Sequence, residues 1–165
     1  LLDTPGLDVR AIDLHSSHPK IEQADFLVLP AGGPMDARTG ASHAYDAVVC
    51  SMVLNCVPDP RNRFRMLVGL RAQVKGGGFV FITLPRTCLL HSHQLTEESF
   101  VNCLKAVGLP PAHDLPLHLH GPVSPKSAAN PSKLAFYECI ASMPDAAAAA
   151  SYQRARHETR QTLRS

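Results

Sequence analysis

The chain has 165 residues, enough for one domain, with 45% hydrophobic and 18% charged residues, a balance that can bury a core and excludes a disordered composition. No run approaches the roughly 20 apolar residues of a membrane-spanning helix. The net charge of +2 is confined to one end: beyond position 143 stand four arginines and two acids, leaving 12 basic and 12 acidic residues in 1–143, so a neutral domain (1–143) is expected to carry a basic tail (144–165) compatible with nucleic acid as a partner.

The first residues, "LLDTPGLDVRAIDL", run almost directly into a strand signal with no initiator methionine, and a fragment of a longer protein is expected. "DVRAIDL" (Asp8 to Leu14) predicts a strand ending on an acid, and "ADFLVLP" a second strand with Asp25 and Phe26 at its start. "AGGPMDARTGASHA" reads as a loop. "YDAVVCSMVL" is near-continuously apolar, as a strand covered on both faces would be. A helix over 61–74 puts Phe64, Leu67, Leu70 and Val74 on one face, and "KGGG" stops it. "FVFITLP" predicts a fourth strand. A helix then starts at Thr96, a good N-cap, with Glu97 and Glu98 at the positive end of the dipole. Phe100, Cys103, Leu104 and Val107 recur at i, i+3, i+4, i+7, and Gly108 is the expected stop. "LPLHLH", a Pro/Ser-rich loop (Gly121 to Ser132) and "KLAFYECIA" predict two strands in a hairpin. The tail opens on Asp145 and five alanines, and is expected to be a solvated helix or a frayed extension.

Cys50, Cys56, Cys88, Cys103 and Cys139 are odd in number and lack CxxC spacing. They read as small buried thiols of a reducing compartment. His91 with His93, and His118 with His120, are spaced by two but lack a carboxylate or cysteine at zinc spacing, so no metal site is expected.

Strands separated by helices predict an α/β fold, mostly parallel, closed by a C-terminal antiparallel hairpin. In doubly wound folds ligands sit at the carboxyl ends of the strands, and that rule collects the polar residues that interrupt apolar runs. Asp13, at a strand tip, can accept both hydroxyls of a ribose; its rival reading is a turn cap, shared with Ser16 and Ser17. Asp25 and Phe26 can bond an exocyclic amine and pack an adenine face, or be a turn residue followed by a core phenylalanine. Ser51 and Asn55 can offer hydrogen bonds into a cleft, or cap a turn, since "NCVPDP" is rich in turn formers.

Three blocks carry a resemblance: "AIDLHSSHPKIEQADFLVLP", "YDAVVCSMVLNCVPDPRNRFRML" and "GGGFVFITLPRTCLLHSHQLT". Their order and spacing are similar to the ribosomal RNA adenine-N1 methyltransferase family that modifies large-subunit rRNA in fungi, which also includes an animal S-adenosylmethionine sensor. The resemblance implies a Rossmann-like class I methyltransferase sheet whose first strand and glycine-rich loop would precede Leu1, leaving a gap between the strands of Asp13 and Val48. Poor folding or weak cofactor binding by this chain alone is expected on that ground. The resemblance further implies S-adenosylmethionine as cofactor, with Asp13 at its ribose, Asp25 and Phe26 at its adenine, and Ser51 beside the transferred methyl. Ser51 and Asn55 would be the catalytic residues. Asn55, Pro58 and Arg61 would meet the target base and its phosphates, with Arg63 and Arg65 as further phosphate candidates beside the alternative of a solvated helix face. Ribosomal RNA would be the partner, and the nucleolus in the nucleus the location. The chain departs from the family's usual residues at His15, at Cys56 and in "LPRTC". Two alternatives remain at this level: a non-catalytic S-adenosylmethionine sensor acting on a protein partner, and a nicotinamide-dependent oxidoreductase, which shares the acid after the strand.

Overall fold

The computed structural model describes residues 2–33, 44–90, 95–113 and 133–142. The chain order is β1 (Ile12–Asp13), β2 (Glu22–Gln23), a 3-10 turn (Phe26–Val28), β3 (Tyr45–Ser51), a second 3-10 turn (Leu54–Cys56), α1 (Pro60–Gln73), β4 (Val74–Pro85), α2 (Thr87–Leu90), α3 (Glu97–Ala106) and β5 (Leu134–Ile140). "LPLHLH", the Pro/Ser-rich loop, His91, His93, the 143/144 boundary and the tail lie outside the described residues.

The strands form two separate ladders. β1 pairs in parallel with β2, while β3, β4 and β5 form a three-stranded sheet in that order, with β3 parallel and β5 antiparallel to β4. No ladder joins β1 to β3 among the described residues. Alternation sets the faces of the larger sheet. Val80, Ile82 and Leu84 of β4 and Ala135, Tyr137 and Cys139 of β5 are buried, and their strand neighbours point away.

Both long helices cover that buried face. α1 contributes Met66, Leu67 and Leu70, and α3 contributes Phe100 and Leu104. The Phe100 and Tyr137 rings meet edge to face with centroids 5.0 Å apart. Burying one such aromatic or leucine side chain is worth about 1.5–3 kcal/mol. The opposite face is not covered by the described residues: Val49 is 57% exposed and Phe79 42%. The apolar run of β3 therefore does not report burial on both faces here.

α3 starts and stops where its sequence signals stand: Thr96 Oγ1 accepts from the Ser99 N–H, and Gly108 follows at φ +80°. α1 starts on Asp59, whose carboxylate accepts from the Arg61 N–H at 3.0 Å, with Pro60 at the first helical position. Its buried face is Met66, Leu67, Gly69, Leu70 and Gln73. Phe64 is 45% exposed, because it lies about 160° around the helix from Met66 at 100° per residue.

Three further expectations are corrected. "DVRAIDL" supplies only a two-residue strand. "ADFLVLP" is not a strand: Glu22–Gln23 pairs with β1, and the apolar residues after Asp25 close a 3-10 turn. "KGGG" does not separate helix from strand, because β4 begins at Val74 and runs through it as a bulge, with Tyr45 opposite Val74 but Ala47 opposite Phe79. Gly78 fits there because a Cβ would meet Asp46 O at 2.7 Å.

Candidate active site

The sequence-selected residues fall into two groups. The first stands at the carboxyl end of the β1–β2 pair. Asp13 ends β1. Its Oδ1 accepts from the His15 N–H at 2.8 Å, and its carbonyl accepts from the Ala24 N–H at 2.9 Å. The turn-capping reading of Asp13 therefore uses one carboxylate oxygen, while Oδ2 has no hydrogen-bond partner among the described residues. Asp25 follows β2 rather than starting a strand, which brings it to the same edge as Asp13. Its Oδ1 accepts from the Leu27 N–H at 2.9 Å. Phe26 is half-buried on α1, where a Cβ built on Gly69 would lie 2.9 Å from its Cε1. Pro30 O and the N–H of Gly32 continue that contact, bonding Gln73 Nε2 at 2.5 Å and Ala72 O at 2.8 Å. The aromatic edge facing Gly69 is thus committed to packing, and Phe26 as a whole is partly buried against the core.

A bidentate ion pair ties the segment leading into β1 to β2. Arg10 Nε and Nη2 donate to the two oxygens of Glu22 at 2.8 and 2.9 Å. The pair raises the arginine pKa and lowers that of the glutamate.

The second group stands at the carboxyl end of β3. Ser51 Oγ lies 2.8 Å from Thr83 Oγ1 on β4, and the Met52 N–H donates to Thr83 O at 2.9 Å. Met52 has φ 59°, the one non-glycine residue in the left-handed region among the described residues. Asn55 follows in the 3-10 turn. Its Nδ2 donates to Cys56 Sγ at 3.5 Å, and its Oδ1 is shut off from solvent with no donor. Pro58 and Arg61 are exposed. Arg61 makes no side-chain hydrogen bond or ion pair among the described residues. Arg63 and Arg65 are engaged: Arg63 donates to Val57 O at 2.7 Å and to Pro58 O at 2.9 Å, and Arg65 to Asn62 Oδ1 at 3.0 Å.

Among the described residues no hydrogen bond joins Asp13 or Asp25 to Ser51 or Asn55. The two groups are connected through α1, which carries "PDP" at its start and Gly69 against Phe26. Thr83 and Met52 were not singled out in the sequence. Thr83 had a signal, a hydroxyl off the core side of "FVFITLP" near the strand's end. Met52 had none, since methionine carries no preference for positive φ. No three His, Cys, Asp or Glu side chains among the described residues cluster as a metal site.

An α/β sheet with two parallel strands and an antiparallel edge strand is shared by many folds, and comparison with known structures places it with the class I methyltransferases. N-methyltransferase NodS from Bradyrhizobium japonicum WM9 superposes with a TM-score of 0.51 at 13% identity, covering 79% of this chain and 71% of that one. A second crystal structure of that enzyme is a complex with S-adenosyl-l-homocysteine (TM-score 0.50, 64% of that chain). More specifically, the chain belongs to the family "25S rRNA (adenine(2142)-N(1))-methyltransferase, Bmt2", whose family model matches residues 4–115. It is 31% identical over 102 residues to the 25S rRNA (adenine(2142)-N(1))-methyltransferase of Saccharomyces cerevisiae, and 32% identical over 96 residues to the 25S rRNA adenine-N(1) methyltransferase of Schizosaccharomyces pombe. The alignments cover 62% and 55% of this chain but 28% and 32% of those relatives. The chain therefore spans about a third of the length of the curated relatives it matches.

Proposed function

We infer that the chain is the catalytic-domain portion of an S-adenosylmethionine-dependent methyltransferase acting on N1 of an adenine in large-subunit ribosomal RNA. The observation that carries this reading is the family match over 4–115, which contains every residue of both groups at the strand tips. Asp13 would hold the ribose of S-adenosylmethionine: it stands at a strand end with one carboxylate oxygen uncommitted, and a carboxylate has lone pairs enough for a turn N–H and two hydroxyls. Asp25, with one free oxygen, and the partly buried Phe26 ring would address the adenine. Ser51 would lie beside the methyl group. Bound, the cofactor supplies an electrophilic methyl on a sulfonium.

Adenine N1 carries its own lone pair, so no side chain has to remove a proton before attack. Asn55, Ser51 and Pro58 would then act by orienting the base and excluding water. N1 lies on the Watson–Crick edge, so the base must enter unpaired. Asn55 would read that edge, and Arg61, the uncommitted arginine of the α1 face, would hold a flanking phosphate. Action on that substrate would put the protein at work in the nucleus, in the nucleolus.

Calorimetric titration of S-adenosylmethionine into the chain and into Asp13→Asn tests the cofactor half. Loss of hydrogen bonds to an ionised group should weaken binding by about tenfold or more. Equal affinity of the two proteins removes Asp13 from the site.

A further inference from the structure

Cys56 touches Asn55 and the backbone of Met52 through one thiol. Asn55 Nδ2 donates to Sγ at 3.5 Å, and Sγ donates to Met52 O at 3.4 Å. Sulfur is a weak partner on both counts. The other end of the carboxamide fares worse, because Oδ1 is shut off from solvent and finds no donor. A buried carbonyl oxygen without a donor is unfavourable, so this rotamer is both costly and lightly held. The backbone beside it is strained as well: Met52, at φ 59°, holds a conformation that L side chains rarely adopt. An orphaned acceptor, a weak sulfur contact and a strained residue thus share the five-residue turn that leaves β3.

We propose that Cys56 is a positioning residue that parks Asn55 in a resting orientation, from which the carboxamide swings out to meet the edge of an unpaired purine. This rests on the reading that Asn55 addresses the target base. Cys56 itself touches no substrate. Its thiol sets the fraction of molecules with Asn55 parked, and the apparent affinity for the base falls as that fraction grows.

Two substitutions carry opposite signs. Cys56→Ser replaces sulfur with a stronger acceptor and parks Asn55 more firmly; Cys56→Ala removes the contact. Binding of a short single-stranded adenine-containing RNA, read by fluorescence anisotropy, should weaken about three- to tenfold in Cys56→Ser and tighten about threefold in Cys56→Ala, the span of one hydrogen bond's net worth. In the RNA-free protein, the Asn55 side-chain amide resonances should move toward solvent-exposed values in Cys56→Ala and away from them in Cys56→Ser. Loss of packing alone would weaken binding in both variants. Weakening in both, or no change in binding together with unmoved Asn55 resonances, overturns the proposal. Asn55→Ala separates the two levels. If it leaves RNA binding unchanged, the base-reading role fails and the parking role with it; if it weakens binding, the signs of the Cys56 variants decide.

Discussion

Ser51 Oγ and Thr83 Oγ1 stand 2.8 Å apart, tying the carboxyl end of β3 to β4 at the strand edge that carries the candidate site. The contact is exposed, so its removal is mild. Thr83→Val keeps the shape and deletes the hydroxyl, and should cost about 0.5–1.5 kcal/mol. In a double-mutant cycle with Ser51→Ala, urea denaturation should show that the two losses are not additive. Additive losses would mean that the hydroxyls do not interact in solution.

Gly69 and Phe26 give a sharper packing prediction. Alanine is the better helix former by about 1 kcal/mol, yet its Cβ would stand 2.9 Å from Phe26 Cε1. Gly69→Ala should therefore destabilise by about 1–3 kcal/mol. Adding Phe26→Leu should recover part of that loss. A stabilised Gly69→Ala would show that Phe26 does not rest on α1.

Arg61 and Arg63 lie two residues apart on α1 and should behave differently. Arg63 clamps the carbonyls of Val57 and Pro58, so Arg63→Ala should cost about 1–3 kcal/mol in stability. Arg61→Ala should stay within about 0.5 kcal/mol of the parent. Its effect should instead appear in RNA binding, lowering the salt dependence by about one phosphate contact. The reverse pattern would exchange their roles.

Two buried thiols contribute to the loss of stability at alkaline pH, with the buried Tyr137 phenol, also pushed up, adding to it at higher pH. Burial pushes Cys50 up from 9.0 to about 11 and Cys139 to about 12. Above pH 9 the unfolded chain gives up these protons while the folded chain keeps them, so stability is intact below that value. It falls as pH rises through 9 toward 11–12, at up to about 1.4 kcal/mol per unit for each thiol. Denaturation under reducing conditions between about pH 8 and pH 10.5 measures the slope. Cys50→Ala should flatten it; an unchanged slope would mean that Cys50 ionises in the folded state.

Local signals were legible where they sufficed. The Thr96 cap, the 3.6 period of Phe100 to Val107 and Gly108 define α3 without tertiary help, and the pattern of "YDAVVCS" fixes β3. Legibility failed where distant contacts decide. "ADFLVLP" has strand composition, but Asp25 caps Leu27 and Phe26 finds α1, so a turn wins. Phe64 was placed inward because it is apolar, but the neighbouring Met66 and Leu70 set the buried face. At the site, Asp13, Asp25, Ser51 and Asn55 were readable as polar breaks near strand ends. Their partners were not: Thr83 is close to Ser51 only through sheet register, and the strain at Met52 exists only in three dimensions.

Methyl transfer to large-subunit ribosomal RNA, followed by nucleoside digestion and mass spectrometry, tests the central claim most directly. The account predicts N1-methyladenosine from the parent protein and its loss in Asn55→Ala with S-adenosylmethionine binding retained. Methyl groups found on another nucleoside or position, or full N1 methylation by Asn55→Ala, would contradict it.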